Sequence, residues 1–408
     1  MRYDEDVALP RLRLNLDFLP SPSPEHPGLF IRDPYRFSDA MLIIPPPLVE
    51  CLQCFDGQHT SLDLRASLVR ATNSLEVGEL ADHLLQQLSA AGFLDDEQFA
   101  RMEDERRRDF SEQTVRHPAH AGSAYPADPD ELRVTFERYF ADAVPPSSNG
   151  RFAIAAPHVS PEGGWQSYRA AYSALGREYA DRTFVILATS HYGSPERFGL
   201  TRKTFETPYG NAAADHRLVD WLAARAGSAA DMEDFCFSFE HTVEFQVVFL
   251  QHMFGPDVRI LPILCGPFAR SLYQGGNPED DDGVHHFFEA LGELNDREGD
   301  RLFWVLGVDM AHMGARYGDR FQARSGEGKM AEVSTRDRRR IDRINAGDAA
   351  GFWDLVRENR DDLKWCGSSP FYTFLKACPK ARGELLHYEQ WNIDPNSVVS
   401  FAGMAFTQ

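Results

Sequence analysis

From residue 118 onward, short apolar runs alternate with stretches of helical periodicity. The runs fall at 152–156, 184–189, 258–264, 302–308 and 397–406. Continuous apolar runs of this length fit strands buried on both faces, and their alternation with helices predicts an α/β fold, a sheet flanked by helices. Three runs end in polar residues: 152-FAIAAPHVSPEGGW-165, 184-FVILATSHYGSP-195 and 302-LFWVLGVDMAHMG-314. Ligands of such sheets bind beyond the carboxyl ends of the strands. If the strands run parallel, His158, His191, Asp309 and His312 converge on one sheet edge. A single strand-end histidine is ordinarily a hydrogen-bonded loop residue. Two of them beside an Asp-x-x-His at equivalent places point to a site.

The first hundred residues read differently. Residues 1–35 are rich in proline and charge and are expected to be extended, and 36–60 reads as a strand pair leading into a helix. The stretches 61–71 and 76–97 carry apolar residues at three-to-four spacing, which predicts two amphipathic helices. Ser61 and Asp63 are candidate caps for the first, and Gly92 can end the second. Two helices and a short FLDD segment read as a small winged-helix-like α+β domain. The charged stretch 98–117 reads as a helical, solvated linker, with a boundary near residue 110. The expected division is 1–105, a linker at 106–117, and the α/β domain at 118–408.

Two further stretches carry chemistry. Cys366 lies in 363-LKWCGSSPFYTFLKAC-378, where Ser369 suits an N-cap and Pro370 the first helical position. A cysteine just before a helix N-terminus is favoured as thiolate. A thiolate with two neutral imidazoles suits iron, copper or zinc, while the plainer alternative is a small buried thiol. The stretch 238-SFEHTVEFQVVFLQHMFG-255 reads as a helix with His241 and Glu244 on one face of its first turn. That pair can do acid–base work, support a metal ligand, or simply be buried together. Cys51 and Cys54 form a C-x-x-C without a second pair and read as core packing. No phosphate-binding glycine loop, nucleophile elbow or H-E-x-x-H is present.

Composition narrows the classes. A chain of 408 residues with 43% hydrophobic content has material for two or three cores. The formal net charge of −20 argues against nucleic acid as partner, since a nucleic-acid binder needs a basic face. No apolar run reaches 18 residues, so no membrane span is expected. The N-terminus lacks the apolar core of a secretory signal, and six scattered cysteines suit a reducing cytoplasm.

At its polar residues the sequence resembles the Memo family, protein B of the AmmeMemoRadiSam system. The resemblance rests on 116-RHPAHAGSAYPADPDEL-132, 154-IAAPH-158, 186-ILATSHYG-193, 207-TPYGNAAAD-215, 240-EHTVEFQ-246, 308-VDMAHMGARYG-318, 365-WCG-367 and 397-SVVSFAGMAF-406. It implies a fold like that of class III extradiol dioxygenases, and iron or copper held by His158, His191 and Cys366. Asp309 and His312 match its pocket motif, and His241 and Glu244 its His-x-x-Glu helix; these four are the expected catalytic groups. Radical-SAM and AMMECR-type proteins are the partners it implies. The chain departs from the family pattern at VSPEGGW, which makes Glu162 a candidate ligand or base. It departs again at Ala124, where a missing ring is expected to widen the pocket. More weakly, 52-LQCFDGQHT-60 with 85-LQQLSAAGFLDD-96 resembles a winged helix that binds leader peptides by strand addition.

The leading expectation is a cytoplasmic oxidoreductase with iron(II) as cofactor, copper or zinc being the other metals, acting on a peptide or a small aromatic substrate. The alternatives are a non-catalytic metal-binding scaffold and a zinc-type hydrolase.

Overall fold

The computed structural model describes residues 7–141 and 150–408. The chain divides into two compact units, Met1–Glu112 and Gln113–Gln408.

In the first unit, β1 (Asp17–Pro20), β2 (Leu29–Arg32) and β3 (Met41–Ile44) pair antiparallel in that order. A 3-10 helix at Pro46–Cys54 follows, then α1 (Ser61–Thr72), α2 (Gly78–Ala90) and α3 (Glu97–Glu112). Thr60, rather than Ser61, caps α1. Its hydroxyl accepts from the Asp63 N–H while Asp63 accepts from the Thr60 N–H, a reciprocal pair that satisfies two otherwise orphaned donors. The helices bury Leu64, Leu68, Leu84 and Leu88 against Phe93, and Cys51 and Cys54 lie in the same core. The FLDD segment contributes a single bridge, Leu94 to Leu12, rather than a strand. The sheet therefore precedes the helices in the chain. The charged stretch is helical through Glu112 and buries only Phe110.

The second unit opens with β4 (Val115–Arg116) and α4 (Pro129–Phe140), which Asp128 caps. Then come β5 (Arg151–Ala156), α5 (Pro161–Tyr172), β6 (Thr183–Thr189), β7 (Phe198–Leu200), β8 (Thr204–Thr207), β9 (Gly210–Ala214), α6 (His216–Ala226) and β10 (Ala230–Met232). After these come α7 (His241–Phe254), β11 (Arg259–Cys265), α8 (Ala269–Gln274), α9 (Asp282–Glu298), β12 (Leu302–Gly307) and β13 (His312–Gly314). The chain closes with α10 (Lys329–Asn345), α11 (Ala349–Arg357), α12 (Ser368–Ala377), β14 (Arg382–Asp394) and β15 (Ser397–Thr407). The main sheet runs β13-β15-β5-β12-β6-β11-β9-β8-β4. Its centre, β5-β12-β6-β11, is parallel, and β15 joins β5 antiparallel.

Period-two alternation explains how one sheet serves two helical layers. Val185 and Leu187 of β6, with Trp304 and Leu306 of β12, share a core with α6, α9, α10, α11 and α12. Phe184, one residue out of phase, stacks on Phe254 of α7 at 5.3 Å between ring centres. The central strands end in register, Gly307 opposite both Ala156 and Ala188. Whatever follows them emerges at one edge. Among the described residues, no helix is long and apolar enough to cross a membrane.

A close ring pair in the core joins Phe198 of β7 to Phe287 of α9, at 3.8 Å and 3° between planes. Phe287→Ala is expected to cost about 3–5 kcal/mol, read by chemical denaturation. A loss below about 1 kcal/mol would show that the pair is not a packing anchor.

Candidate metal centre

The parallel centre of the sheet delivers the site. His158 follows β5 by two residues, His191 follows β6 by two, and Asp309 follows β12 by two. His241 is the first residue of α7, which docks at the same edge: the Thr242 hydroxyl donates to the Thr189 carbonyl at 2.7 Å. The Gln246 amide, one turn on, donates to the Pro157 carbonyl at 2.8 Å. The imidazoles of His158, His191 and His241 come together so that one potential ligand atom from each lies within 4.8 Å of the others. Ring centres are 4.9 Å apart for His158 and His191, 5.3 Å for His158 and His241, and 5.2 Å for His191 and His241.

Each ring is oriented through Nδ1. That of His158 donates to the Gly307 carbonyl at 3.0 Å, which leaves the ring's lone pair on Nε2. Those of His191 and His241 each lie 3.1 Å from Glu240 Oε1. Glu240 is the N-cap of α7 and 1% exposed. Its carboxylate also accepts from the His191 and His241 backbone N–H groups at 2.8 and 3.0 Å. Burial alone would raise its pKa, but the two imidazoles hold it well below the carboxylate range. Reciprocally, Glu240 raises His191 well above an ordinary imidazole against the effect of burial. Burial and the two neighbouring imidazoles push His158 the other way, well down.

Cys366 reaches the cluster from the far end of the chain. Its Sγ lies 3.3 Å from His158 Nε2 and 3.7 Å from the Asp309 carbonyl. Two ligand atoms about 2.1 and 2.3 Å from one tetrahedral metal lie roughly 3.6 Å apart, so this thiol and imidazole fit a shared ion. The approach depends on Gly367, whose N–H donates to the Asp309 carbonyl at 3.0 Å. A Cβ there would sit 2.5 Å from that same carbonyl oxygen. Gly367 is the N-cap of α12, which starts at Ser368, so Pro370 lies in the first turn rather than at its first position. Burial raises the Cys366 thiol, outweighing the lowering by His191. The helix start does not by itself yield a thiolate; a bound cation would have to displace the proton.

The other expected residues are placed as follows. Asp309 accepts from the His158 N–H at 2.9 Å, its other oxygen lies 3.5 Å from His158 Nε2, and burial pushes its pKa up to about 7. His312 begins β13, with Nδ1 at 2.9 Å from the Met310 and 3.1 Å from the Lys364 carbonyl; burial pushes it down to about 4. The Glu244 carboxylate is taken up by the Arg116 guanidinium, the Tyr125 hydroxyl and the N–H groups of Ala119 and His120. Its neighbour His241 bonds Glu240 instead. Glu162 is exposed on the first turn of α5 and, with Ala124, Tyr139 and Trp165, lines a cavity of about 910 Å³. None of the clustered imidazoles lines it, so Glu162 and Ala124 both lie away from the imidazole cluster. Gly163, within the VSPEGGW stretch, permits close packing, since a Cβ there would meet the Trp391 ring at 2.7 Å.

Glu240 escaped the reading of the sequence, although it stands in the quoted EHTVEFQ. An acidic residue directly before a helix is a capping signal, and that signal could have found it. His120, whose ring lies edge-on to His241 at 5.5 Å, was missed for lack of any local pattern.

The Memo-like protein family matches residues 116–405. A MEMO1 family protein of Thermococcus kodakarensis is 30% identical over 304 residues, covering 72% of this chain and 99% of the relative. One from Methanosarcina barkeri is 28% identical over 298 residues, covering 71% and 99%. One from Aquifex aeolicus is 26% identical over 382 residues, covering 92% and 95%. That last alignment is longer than residues 113–408 and so extends into the first unit.

Because the folded His312 has a pKa near 4 and an unfolded histidine one near 6.5, the unfolded metal-free chain binds more protons between these values. The stability contribution is complete above about pH 6.5 and is lost as pH falls through about 4. His312→Gln is therefore expected to flatten this part of the pH dependence, measured by urea unfolding at several pH values. Identical slopes in both proteins would contradict the burial of a neutral ring.

Proposed function

The chain belongs to the Memo-like protein family, and on that footing we propose that it is a metal-dependent oxidoreductase with non-haem iron(II) as its cofactor. The observation that carries this reading is the meeting of three imidazoles and one thiol at the carboxyl edge of a parallel sheet. His158, His191 and Cys366 would hold the ion, and His241, turned by the same carboxylate as His191, is a further imidazole within reach. An iron ion with open positions supplies one-electron and dioxygen chemistry.

The protein's own groups then have definite tasks. Glu240 fixes the rings of His191 and His241 and keeps their Nε2 atoms available. Gly307 does the same for His158 through its carbonyl. Asp309, poised near neutrality and 3.5 Å from His158 Nε2, is the group suited to hold or release a proton beside the ion. The side chains of His191 and His241 are 27% and 29% exposed, so substrate and solvent protons have a route to the cluster from that side. His312 is retained as a pocket residue. Glu244, satisfied by four donors, acts by holding the 116–125 segment against α7. The reducing cytoplasm is the setting proposed, since it keeps both iron(II) and a free thiol.

Anaerobically purified protein is expected to take up iron(II) near one per chain and to consume O₂ when a reductant is supplied. His158→Ala and Cys366→Ala should each lower metal content by a large factor; undiminished loading in both would refute the ligand set. Stoichiometric zinc without oxygen uptake would replace this reading by a hydrolytic one, which three imidazoles also suit. Glu240→Gln is expected to weaken metal binding about 10–100-fold while leaving the ligands in place. Unchanged affinity in a competition titration would remove Glu240 from the account.

A further inference from the structure

Asp337 of α10 is a fully buried carboxylate for which the chemistry above has no task. Its Oδ1 accepts from the Trp365 indole N–H at 2.7 Å, and its Oδ2 accepts from the Tyr388 hydroxyl at 2.8 Å and the Ser400 hydroxyl at 2.6 Å. Trp365 is the residue before Cys366. Ser400, on β15, bonds the loop that carries Asp309. We infer that Asp337 is a positioning residue of the metal centre: it holds these two loops to one placement and so sets the distance between the Cys366 thiol and the His158 imidazole. The inference rests on the functional reading above and deepens it.

Three observations carry it. The first is the direction of the bonds. The Tyr388 hydroxyl accepts from the Gln390 amide at 3.2 Å and the Ser400 hydroxyl from the Ala311 N–H at 2.8 Å, so each directs its own proton at Asp337. The indole N–H can only donate. Three donors therefore converge on one group that has to accept throughout, and an amide in its place would set an N–H against a donor. Burial pushes the Asp337 pKa up, against the pull of these donors and of Arg340.

The second is the path to His158. Beside the hydroxyl bond, the Met310 N–H donates to the Ser400 carbonyl at 2.8 Å and the Ser400 N–H to the Ala311 carbonyl at 2.9 Å. Asp309, at the head of this loop, accepts from the His158 N–H at 2.9 Å. The third is the grip on Trp365. Besides its indole N–H, its ring lies 5.2 Å from the Arg340 guanidinium. Its backbone N–H donates to Asp361 at 2.9 Å, and Arg340 binds that same carboxylate at 2.8 Å. A residue fixed at ring, indole and main chain leaves its neighbour Cys366 little freedom. The two loops then close on one another where the Gly367 N–H meets the Asp309 carbonyl.

The test uses the full chain loaded with cobalt(II), which takes nitrogen and sulfur ligands and reports a thiolate by a sulfur-to-metal charge-transfer band. Asp337→Asn and Trp365→Phe are expected to lose most of that band and to bind cobalt about 10–100-fold more weakly. Tyr388→Phe removes one donor from the same carboxylate, but Tyr388 is hydrogen-bonded to neither loop, so this variant should keep the band whatever its loss of thermal stability. That contrast separates positioning from general support of the fold. A wild-type band in folded Asp337→Asn and Trp365→Phe, or an equal loss in Tyr388→Phe, overturns the inference. Should Asp337→Asn misfold, Trp365→Phe decides alone. The metal-free chain gives a second readout. Among the described residues Cys366 is the one cysteine that is not buried. Its alkylation by iodoacetamide, followed by mass spectrometry, should quicken several-fold in Asp337→Asn and Trp365→Phe and stay unchanged in Tyr388→Phe. Wild-type protein that takes up no metal would end the functional reading, and alkylation then decides the placement of the thiol by itself, unaltered rates in both loop variants overturning it. Cobalt bound by wild-type protein without the band would remove Cys366 from the ligand set and overturn the inference with it.

Discussion

A carboxylate sealed from water must be compensated, and the compensation of Glu240 organises the centre of this protein. Its oxygens gather two imidazoles and two backbone N–H groups from the end of β6 and the start of α7. An unpaired charge at that depth would cost several kcal/mol, so strand end and helix start are held to one relative placement. Two rings are oriented by the same event. The meeting of these imidazoles is thus a consequence of satisfying one buried charge, and the pull of those rings on Glu240 is the same interaction seen from the other side.

The remaining donors depend on backbone contact. Gly307 and Gly367 occupy places where main chains touch: the first supplies the carbonyl that orients His158, the second donates to the loop after β12. A side chain at Gly367 would meet the Asp309 carbonyl, displacing Cys366 from the imidazoles. Close packing of this kind transmits small displacements directly. It brings a cysteine more than two hundred residues from His158 to within 3.3 Å of that ring's Nε2.

Much of this could be read from the chain. The five apolar runs became β5, β6, β11, β12 and β15, because a strand buried on both faces has no polar phase to hide. The emergence of His158, His191 and Asp309 at one edge followed from parallel pairing. Other points went differently. The spacing of His241 and Glu244 on one helical face is real, yet each side chain bonds a different network. Periodicity fixes which residues share a face and says nothing about which neighbours compete for them. The thiol of Cys366 was expected to be acidic from its place before a helix, whereas burial dominates its titration. In the first unit, Thr60 outcompeted Ser61 as cap because its reciprocal bond with Asp63 closes two donors at once.

By itself the sequence determined the layers of the second unit and the residue types available at the carboxyl edge, because apolar period and strand polarity are local properties. Tertiary structure alone decided which groups meet. It turned Glu240 toward His191 and His241, gave Glu244 to Arg116 and Tyr125, and set Glu162 and Ala124 at a separate cavity. Those outcomes depend on which partner fills each hydrogen bond, and that is settled only when distant segments are packed together.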